Sequence, residues 1–240
     1  MKPKIVSIVG LTSSGKSGIG IELAKMFNGE IVSCDSRQVY KRLDLSSGKV
    51  TVEEQAQAVH HLLDVAELGG TYMDVFTFQQ LAYAAIDDIL ARGKVPILVG
   101  GTGMYSRSLV EGYNFDMPNL AKYNVMQVAL MPPKDVLAPF VKLRIEQRLE
   151  QGMIDEARGI LDSGVSDEWL SALGLECYWN VELIRGRITL DEYIKGLFTK
   201  TMQFAKRQRT WFKKEKDTHF LEKRETFLED CISLTKEFLR

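Results

Sequence analysis

The residues best suited to chemistry lie near the start of the chain, in the sequence GLTSSGKS at positions 10–17. This spacing of glycines, lysine and serine is typical of a phosphate-binding loop. Gly10 and Gly15 allow the backbone to curl so that its amide groups face an anion. Lys16 adds a positive charge beside the outer phosphate, and the Ser17 hydroxyl is suited to Mg²⁺. The motif therefore predicts a site for a di- or triphosphate, without indicating which one.

The segments around this loop are those that such a loop requires. An apolar, β-branched run at residues 5–9 precedes it, and an amphipathic segment at 17–27 follows it. A chance match in a glycine-rich turn is the alternative, but a strand, a loop and a helix in this order favour a functional loop.

A carboxylate follows the next predicted strand. Residues 30–35 form a short apolar run that ends on Asp35. In open α/β sheets, ligands bind beyond the carboxyl ends of the strands, so we expect Asp35 beside the phosphate-binding loop. Ser36, Arg37 and Gln38 then continue along the rim of the site. The alternative is that Asp35 only caps the next turn.

A second glycine-rich turn follows another strong strand. Apolar residues at helical spacing predict a helix over 76–90, and 95–99 reads as a strand that leads into GGTGMY at 100–105. Many turns between a strand and a helix contain glycine, so this signal is weak alone. Together with the first loop, it predicts that Thr102 and nearby backbone amides close over the same ligand.

The adjacent histidines His60 and His61 invite a metal interpretation. They open residues 60–65, which read as a turn entering a strand, and adjacent side chains of an extended chain point in opposite directions. No other His or Cys pair has ligand spacing, so packing or contact with substrate is favoured over zinc.

The remaining elements predict the fold class. We expect a short helix at 52–58, an irregular segment at 112–124 containing Pro118, a strand at 125–130, helices at 136–151, 154–161, 168–184 and 190–214, an edge strand at 219–221 and a terminal helix at 224–240. This order predicts an α/β fold: a P-loop NTPase-like parallel sheet flanked by helices, with a helical C-terminal region. We predict one domain over 1–223, with the helical region 133–214 packed on or beside it, and a C-terminal helix or tail at 224–240.

Positive charge is concentrated late in the chain. Residues 195–216 contain eight Lys or Arg and one acid, Glu215, although the whole chain has a formal net charge of −1. Lys200, Arg207 and Lys214 recur every seven residues as a basic stripe. A solvated helix face is the alternative. The interleaved aromatic pair at 211–212 favours a binding role.

Composition excludes several classes of protein. Hydrophobic residues make up 45% and charged residues 26%, as in ordinary soluble proteins. The N-terminus shows no signal peptide, and no apolar run is long enough to span a membrane. Cys34, Cys177 and Cys231 are widely spaced, which argues against disulfides and zinc. We therefore expect a cytoplasmic protein.

Five motifs occur in a fixed order: GLTSSGKS at 10–17, SCDSRQVY at 33–40, HHLLDV at 60–65, LVGGTGMY at 98–105 and FAKRQRTWF at 204–212. Together they resemble the tRNA dimethylallyltransferases, also called tRNA isopentenyltransferases. The second and fifth motifs are the most specific. The similarity extends to about residue 221 and includes 144–165 and 173–176.

The resemblance implies transfer of a dimethylallyl group from dimethylallyl diphosphate to N6 of an adenosine beside the anticodon of tRNA, with Mg²⁺ as cofactor. The expected partners are the tRNA anticodon stem-loop and dimethylallyl diphosphate, and we expect a monomer. The implied catalytic residues are Lys16, Asp35 and Thr102; the implied diphosphate ligands are Gly10, Thr12, Ser13, Ser14, Gly15, Lys16, Ser17 and Arg207; the implied acceptor contacts are Asp35, Ser36, Arg37, Gln38 and Thr102; and Ser17 is the implied metal ligand.

The chain departs from the family pattern at three places. Met202 stands where many members have an arginine, so a phosphate ligand is missing or is supplied by Arg207 or Lys206. Only about two dozen residues separate Tyr105 from the next strand, where most members insert a helical domain that grips the anticodon stem-loop. Residues 175–177 read Leu-Glu-Cys instead of an aromatic residue followed by a basic one.

Three other functions fit parts of the sequence. Prenyl transfer to free adenine nucleotides fits the short insert. A small-molecule or nucleoside kinase fits the ATP-binding type of loop, although residues 112–124 lack the arginines of a kinase lid. A non-catalytic remnant that binds RNA or nucleotides fits Met202 and the missing insert.

Overall fold

A parallel sheet of six strands forms the centre of the described chain, in the order β3-β2-β4-β1-β5-β6. The structure, a computed structural model, describes residues 2–113 and 119–240. The strands are β1 (Lys4–Gly10), β2 (Gly29–Ser33), β3 (His60–His61), β4 (Val95–Gly100), β5 (Asn124–Leu130) and β6 (Thr218–Leu221). All five neighbouring pairs are parallel, which confirms the predicted fold class.

Helices cover both faces of this sheet. They are α1 (Lys16–Met26), α2 (Val52–Gln55), α3 (Val75–Ala91), α4 (Gly103–Glu111), α5 (Lys134–Glu150), α6 (Met153–Asp162), α7 (Asp167–Ala172), α8 (Glu176–Ile184), α9 (Leu190–Phe212) and α10 (Phe227–Leu239). Ile5 and Ile8 on β1 are both fully buried, as expected for a parallel strand with helices on each side.

Three apolar clusters hold these layers together. One joins α1 and α10 to one face of the sheet through residues such as Ile8 and Phe227. A second joins α3 and α4 to the opposite face. The third contains Val9 and Leu11 at the carboxyl end of β1, together with the inner faces of α5 and α9. The helical region is therefore anchored where strands β1 and β5 end, which is also where the phosphate-binding loop begins.

Two sequence predictions are wrong in extent. Residues 60–65 were predicted as a turn that enters a strand, but the strand comes first and is limited to His60–His61, because Leu62 and Asp64 adopt positive φ angles of 64° and 56° and turn the chain. The helix predicted over 168–184 is two helices, α7 and α8. Gly174 and Leu175, with φ angles of 72° and 42°, interrupt it.

The other predicted strands and long helices are confirmed with small shifts of their ends. The short helix predicted at 52–58 ends at Gln55, with a capping box between Thr51 and Glu54 at its start. In the segment predicted to be irregular, residues 114–118, including Pro118, lie outside the described residues. Among the described helices, none has the combined length and apolar character needed to cross a lipid bilayer.

Two glycines in helix interiors give opposite predictions for the same substitution. A methyl group at Gly196 on α9 would collide with the ring of Trp179, whereas one at Gly159 on α6 would meet no atom within 4 Å. Glycine normally weakens a helix by about 1 kcal/mol relative to alanine. We expect Gly159→Ala to stabilise the protein by about 0.5–1 kcal/mol, and Gly196→Ala to destabilise it by about 1–3 kcal/mol through overpacking. Urea denaturation of both variants measures the difference. A stabilised Gly196→Ala variant would contradict the packing of α8 against α9.

Candidate active site

The phosphate-binding loop connects β1 to α1 and depends on glycine at two positions. A side chain at Gly10 would collide with the backbone of Leu130 on the neighbouring strand. Gly15 has a φ angle of 94° and forms the N-cap of α1. The loop therefore passes close to β5 and leads directly into the N-terminus of α1. Backbone amides at a helix N-terminus attract anions.

A buried amide side chain on α9 connects this loop to the second glycine-rich turn. The Thr12 backbone amide donates to Gln208 Oε1 at 2.8 Å, and Gln208 Nε2 donates to the Gly101 carbonyl at 2.9 Å. Gln208 is almost fully buried. It belongs to the motif at 204–212, but no role was predicted for it from the sequence. The apolar residues at helical spacing around it indicated only that it lies on the inner face of the helix.

Lys16 lies in an electropositive environment. Its Nζ donates to the Leu11 carbonyl at 2.6 Å. Burial and the nearby Arg144 lower the pKa of Lys16 to about 7, although the carboxylate of Asp35 acts in the opposite direction. An anion bound here would favour the charged form of the lysine, so binding at neutral or higher pH is expected to be coupled to proton uptake.

Asp35 and Thr102 lie together at the carboxyl ends of β2 and β4. The Arg37 amide donates to Asp35 Oδ1 at 3.0 Å, and the Ser36 amide donates to Thr102 Oγ1 at 3.0 Å. The Thr102 amide donates to the Cys34 carbonyl at 3.2 Å. Asp35 thus supports a local turn, as the alternative interpretation held. Among the described residues, its second oxygen has no hydrogen bond and is available to a ligand.

One cavity brings six of the thirteen predicted site residues together. Lys16 and Ser17 line it from the phosphate-binding loop, and Asp35 lines it from the end of β2; Thr12, Arg37, Gln38, His60, Gly101, Arg144 and Gln208 also line it. Gln38 is held by the Ser33 hydroxyl, which donates to it, and by the Gly48 carbonyl, which accepts from it.

A second cleft opens on the other side of Asp35. It is lined by Asp35, Ser36 and Thr102 together with the turn before α8 and the outer face of α9, including Lys200 and Arg207. Arg207 does not line the cavity at the phosphate-binding loop. Its predicted contact with diphosphate stays a prediction, and Arg37 and Arg144 are the described arginines that line that cavity.

A buried ion cluster supports the floor of the site. Glu176 binds Arg37 at 2.5 Å and Arg148 at 3.2 Å, and all three side chains are almost fully buried. Burial alone would raise the pKa of Glu176, but Arg37, Arg148 and Arg144 outweigh it and lower the value to about 2. The Arg37 side chain is therefore turned towards Glu176. The sequence showed Glu176 only as a departure from a family pattern.

The adjacent histidines have separate contacts. His60 Nδ1 lies 2.8 Å from the Ala58 carbonyl, and His61 Nε2 lies 2.7 Å from Glu30, which is also bound by Arg92 and Lys94. Within residues 2–113 and 119–240, no group of three His, Cys, Asp or Glu side chains is arranged to hold a metal ion.

A model of the IPP transferase family matches residues 38–121 and 116–215 of this sequence. The chain belongs to this family. The two matched segments overlap at 116–121, within the interval where the sequence predicts a missing helical insert. Met202, which also departs from the family pattern, packs against the apolar cluster between α5 and α9.

Individual relatives agree with this assignment. The chain is 36% identical to tRNA dimethylallyltransferase 2 of Shewanella sediminis, with 88% of this chain and 89% of the relative covered. It is 33% identical to tRNA dimethylallyltransferase of Streptococcus agalactiae, with 92% of each covered. The Shewanella alignment extends over 269 residues, more than the 240 of this chain, so that relative has residues without a counterpart here.

Solved structures show the same fold. The tRNA isopentenylpyrophosphate transferase of Bacillus halodurans superposes with a TM-score of 0.88 at 27% identity, and 99% of this chain and 98% of that chain are covered. The tRNA isopentenylpyrophosphate transferase of Staphylococcus epidermidis gives the same TM-score at 26% identity.

The buried ion cluster gives a stability prediction with a pH signature. Glu176→Gln leaves Arg37 and Arg148 without a counter-charge, and we expect a loss of about 3–5 kcal/mol at pH 7. Because the folded-state pKa of Glu176, about 2, lies below its ordinary value of 4.5, its contribution is complete above pH 4.5 and decreases as the pH falls towards 2. Chemical denaturation at several pH values should show that the difference in free energy of unfolding between wild type and variant becomes smaller as the pH falls over that range.

Glu182→Gln, on the same helix, is the matched control. Its partner Arg187 is half exposed, so we expect an effect of at most about 1 kcal/mol. Equal effects of the two substitutions would contradict the assignment of Glu176 as the centre of the cluster.

Proposed function

We propose that this protein transfers a dimethylallyl group from dimethylallyl diphosphate to N6 of an adenosine next to the anticodon of tRNA. The observation that carries the proposal is the single cavity lined by both Lys16 and Asp35. It offers a cationic phosphate site on one side and a free carboxylate oxygen on the other, in a member of the IPP transferase family. Relatives with this family's sequence are named tRNA dimethylallyltransferases.

The donor diphosphate binds along the loop at residues 10–17. Backbone amides and Lys16 bind the phosphate oxygens, and Arg144, whose Nη1 donates to the Thr12 hydroxyl at 3.3 Å, adds a second positive charge. These groups stabilise the negative charge that develops on the leaving diphosphate as the allylic carbon–oxygen bond breaks. The electron pair of that bond leaves with the diphosphate.

The acceptor adenine enters from the second cleft, after leaving its stack. Its N6 forms the new bond to the allylic carbon, and Asp35 accepts the proton that N6 loses. Thr102 and Ser36, joined by two hydrogen bonds, form the wall beside Asp35. Arg37 is bound to Glu176, and Gln38 is bound to Ser33 and Gly48. These contacts fix both residues, which shape this wall and orient the adenine from its edge.

The Ser17 hydroxyl at the start of α1 suits Mg²⁺, which usually binds proteins through few side chains and completes its shell with phosphate and water. When bound, Mg²⁺ neutralises charge on the diphosphate. We further propose a monomer that acts in the cytoplasm, where reducing conditions suit the three buried free cysteines.

The exposed face of α9 and the turn after it suit the RNA backbone. Lys200, Lys206, Arg207 and Lys214 are exposed, and none forms an ion pair with another described residue. Arg207 lies between the acceptor cleft and a further cleft lined by Arg107, Lys206 and Lys214. Successive residues of the stripe Lys200, Arg207 and Lys214 are about 10 Å apart at 1.5 Å per residue, which suits a nucleic-acid strand leading away from the reacting base.

Prenyl transfer is tested directly with labelled dimethylallyl diphosphate, Mg²⁺ and an unmodified tRNA that has an adenosine run next to its anticodon. We expect N6-prenyladenosine from the wild type. Asp35→Asn should lower kcat by about 10²- to 10⁴-fold because the general base is lost. Its affinity for inorganic diphosphate should remain within a few-fold of wild type.

Asp155→Asn, an exposed position on α6, is the control and should react at the wild-type rate. Absence of product from folded wild-type protein would refute the proposed function. AMP supplied in a parallel reaction tests the alternative that a free adenine nucleotide is the acceptor, which fits the short insert.

The basic stripe predicts a specific change in salt dependence. Arg207→Ala and Lys214→Ala should each weaken binding of an anticodon stem-loop RNA and reduce the slope of log K against log salt by about one, since each removes one phosphate contact. Fluorescence anisotropy at several salt concentrations measures both quantities. Lys236→Ala on α10 should leave affinity and slope unchanged. Unaltered slopes for both stripe variants would rule out this surface.

A further inference from the structure

The C-terminal segment sends one side chain to the phosphate-binding loop. Arg224 follows β6 in a short 3₁₀ turn, Arg224–Thr226. Its Nη1 donates to the Ser14 carbonyl at 2.7 Å and to the Ser13 carbonyl at 3.3 Å. Its Nη2 lies 3.5 Å from the position that a β-carbon on Gly15 would occupy. The guanidinium group therefore contacts the loop directly, although Arg224 follows the loop by more than 200 residues in the sequence.

The loop needs support at this point. Ser13 has a φ angle of 59°, in the left-handed region that non-glycine residues rarely adopt. The hydroxyls of Ser13 and Ser14 are buried and have no hydrogen-bond partner within the described residues. The serine side chains thus do not fix the turn. Gln208 fixes it at Thr12, the Leu11 carbonyl accepts from the Ser14 amide, and Arg224 holds the carbonyls of Ser13 and Ser14.

The position of this cation has an electrostatic consequence for an anion on the other side. In a trans peptide, the C=O and N–H groups point in opposite directions. The Ser14 amide donates to the Leu11 carbonyl at 3.2 Å within the loop. With the Ser14 carbonyl held by Arg224, the Gly15 amide in the same peptide group points away from the guanidinium. The guanidinium also occupies the two carbonyl oxygens that would otherwise repel phosphate oxygens.

A second contact fixes the arginine itself. The Arg224 guanidinium carbon lies 3.8 Å from the ring centroid of Phe140 on α5, in the range of a cation–π interaction. Phe140 is one helical turn before Arg144, and both line a cleft together with Arg224, Lys16 and Ser17. One face of α5 therefore faces the loop at both arginines.

We propose that Arg224 is a positioning residue for diphosphate binding: it holds the peptide group between Ser14 and Gly15 so that the Gly15 amide is presented to the phosphates. The proposal rests on the proposed function only in taking inorganic diphosphate as a ligand of the loop. Arg224 itself does not touch the reacting atoms. It acts on the donor site and not on the acceptor.

Isothermal titration of the full chain with inorganic diphosphate and Mg²⁺ tests this inference. We expect Arg224→Ala to weaken binding about tenfold, as for loss of a charged hydrogen bond, and Arg224→Lys to recover part of the loss. Phe140→Ala should weaken binding in the same direction but less. Arg158→Ala, which removes an exposed arginine on α6, is the matched control and should bind as wild type does.

Steady-state kinetics separates positioning from a general structural effect. Arg224→Ala should raise KM for dimethylallyl diphosphate and leave KM for RNA unchanged. Diphosphate affinity within twofold of wild type, or an equal rise in both KM values with a lowered melting temperature, would overturn the inference. Diphosphate binding that depends on Arg224 without any prenyl transfer would instead refute the proposed function and leave the inference standing.

Discussion

The geometry of the site depends on one buried amide that joins two turns. Gln208 accepts a hydrogen bond from Thr12 in the first glycine-rich turn and donates one to Gly101 in the second. These turns end two neighbouring strands, β1 and β4, whose parallel register fixes their separation. Because both polar ends of the buried Gln208 are satisfied, any shift of α9 would leave an unpaired polar group in the interior, which is costly. The helix and the two turns are therefore expected to behave as one unit.

The charges near this unit show why it favours an anion. Lys16, Arg37, Arg144 and Arg148 surround the cavity or its floor, and the acids that act on them include Glu176, Asp35, Glu156 and Glu54. Glu176 compensates Arg37 and Arg148 directly, and the lowered pKa of Lys16 reflects its burial first and the positive charge of Arg144 second. A bound diphosphate supplies the missing negative charge. The protein has thus concentrated its unbalanced charge at the position where the proposed ligand is most negative.

How far the sequence predicted these features depended on the distance between the interacting residues. The phosphate-binding loop, Asp35 and Thr102 were predictable because each follows its own strand, and parallel strands bring their carboxyl ends together. The contacts of Gln208 with Thr12 and of Arg224 with Ser14 join residues about 200 positions apart and leave no local pattern. The strand predicted at 60–65 was wrong because Leu62 adopts a left-handed conformation that residue type does not encode. Leu175 broke a predicted helix for the same reason.

Helix α9 connects the two halves of the proposed reaction through its two faces. Its buried face, with Thr201, Ala205, Gln208 and Phe212, holds the turns proposed to bind the donor, and its exposed face has the cations proposed to bind RNA. Gln208 and Arg207 are adjacent in sequence on one rigid helix, so a displacement of the helix moves both side chains together. RNA bound along the exposed face would therefore stabilise the helix position that also orders the phosphate-binding loop. Asp35 also lines both the cavity at the phosphate-binding loop and the acceptor cleft, so the helix and this carboxylate together connect the two proposed sites.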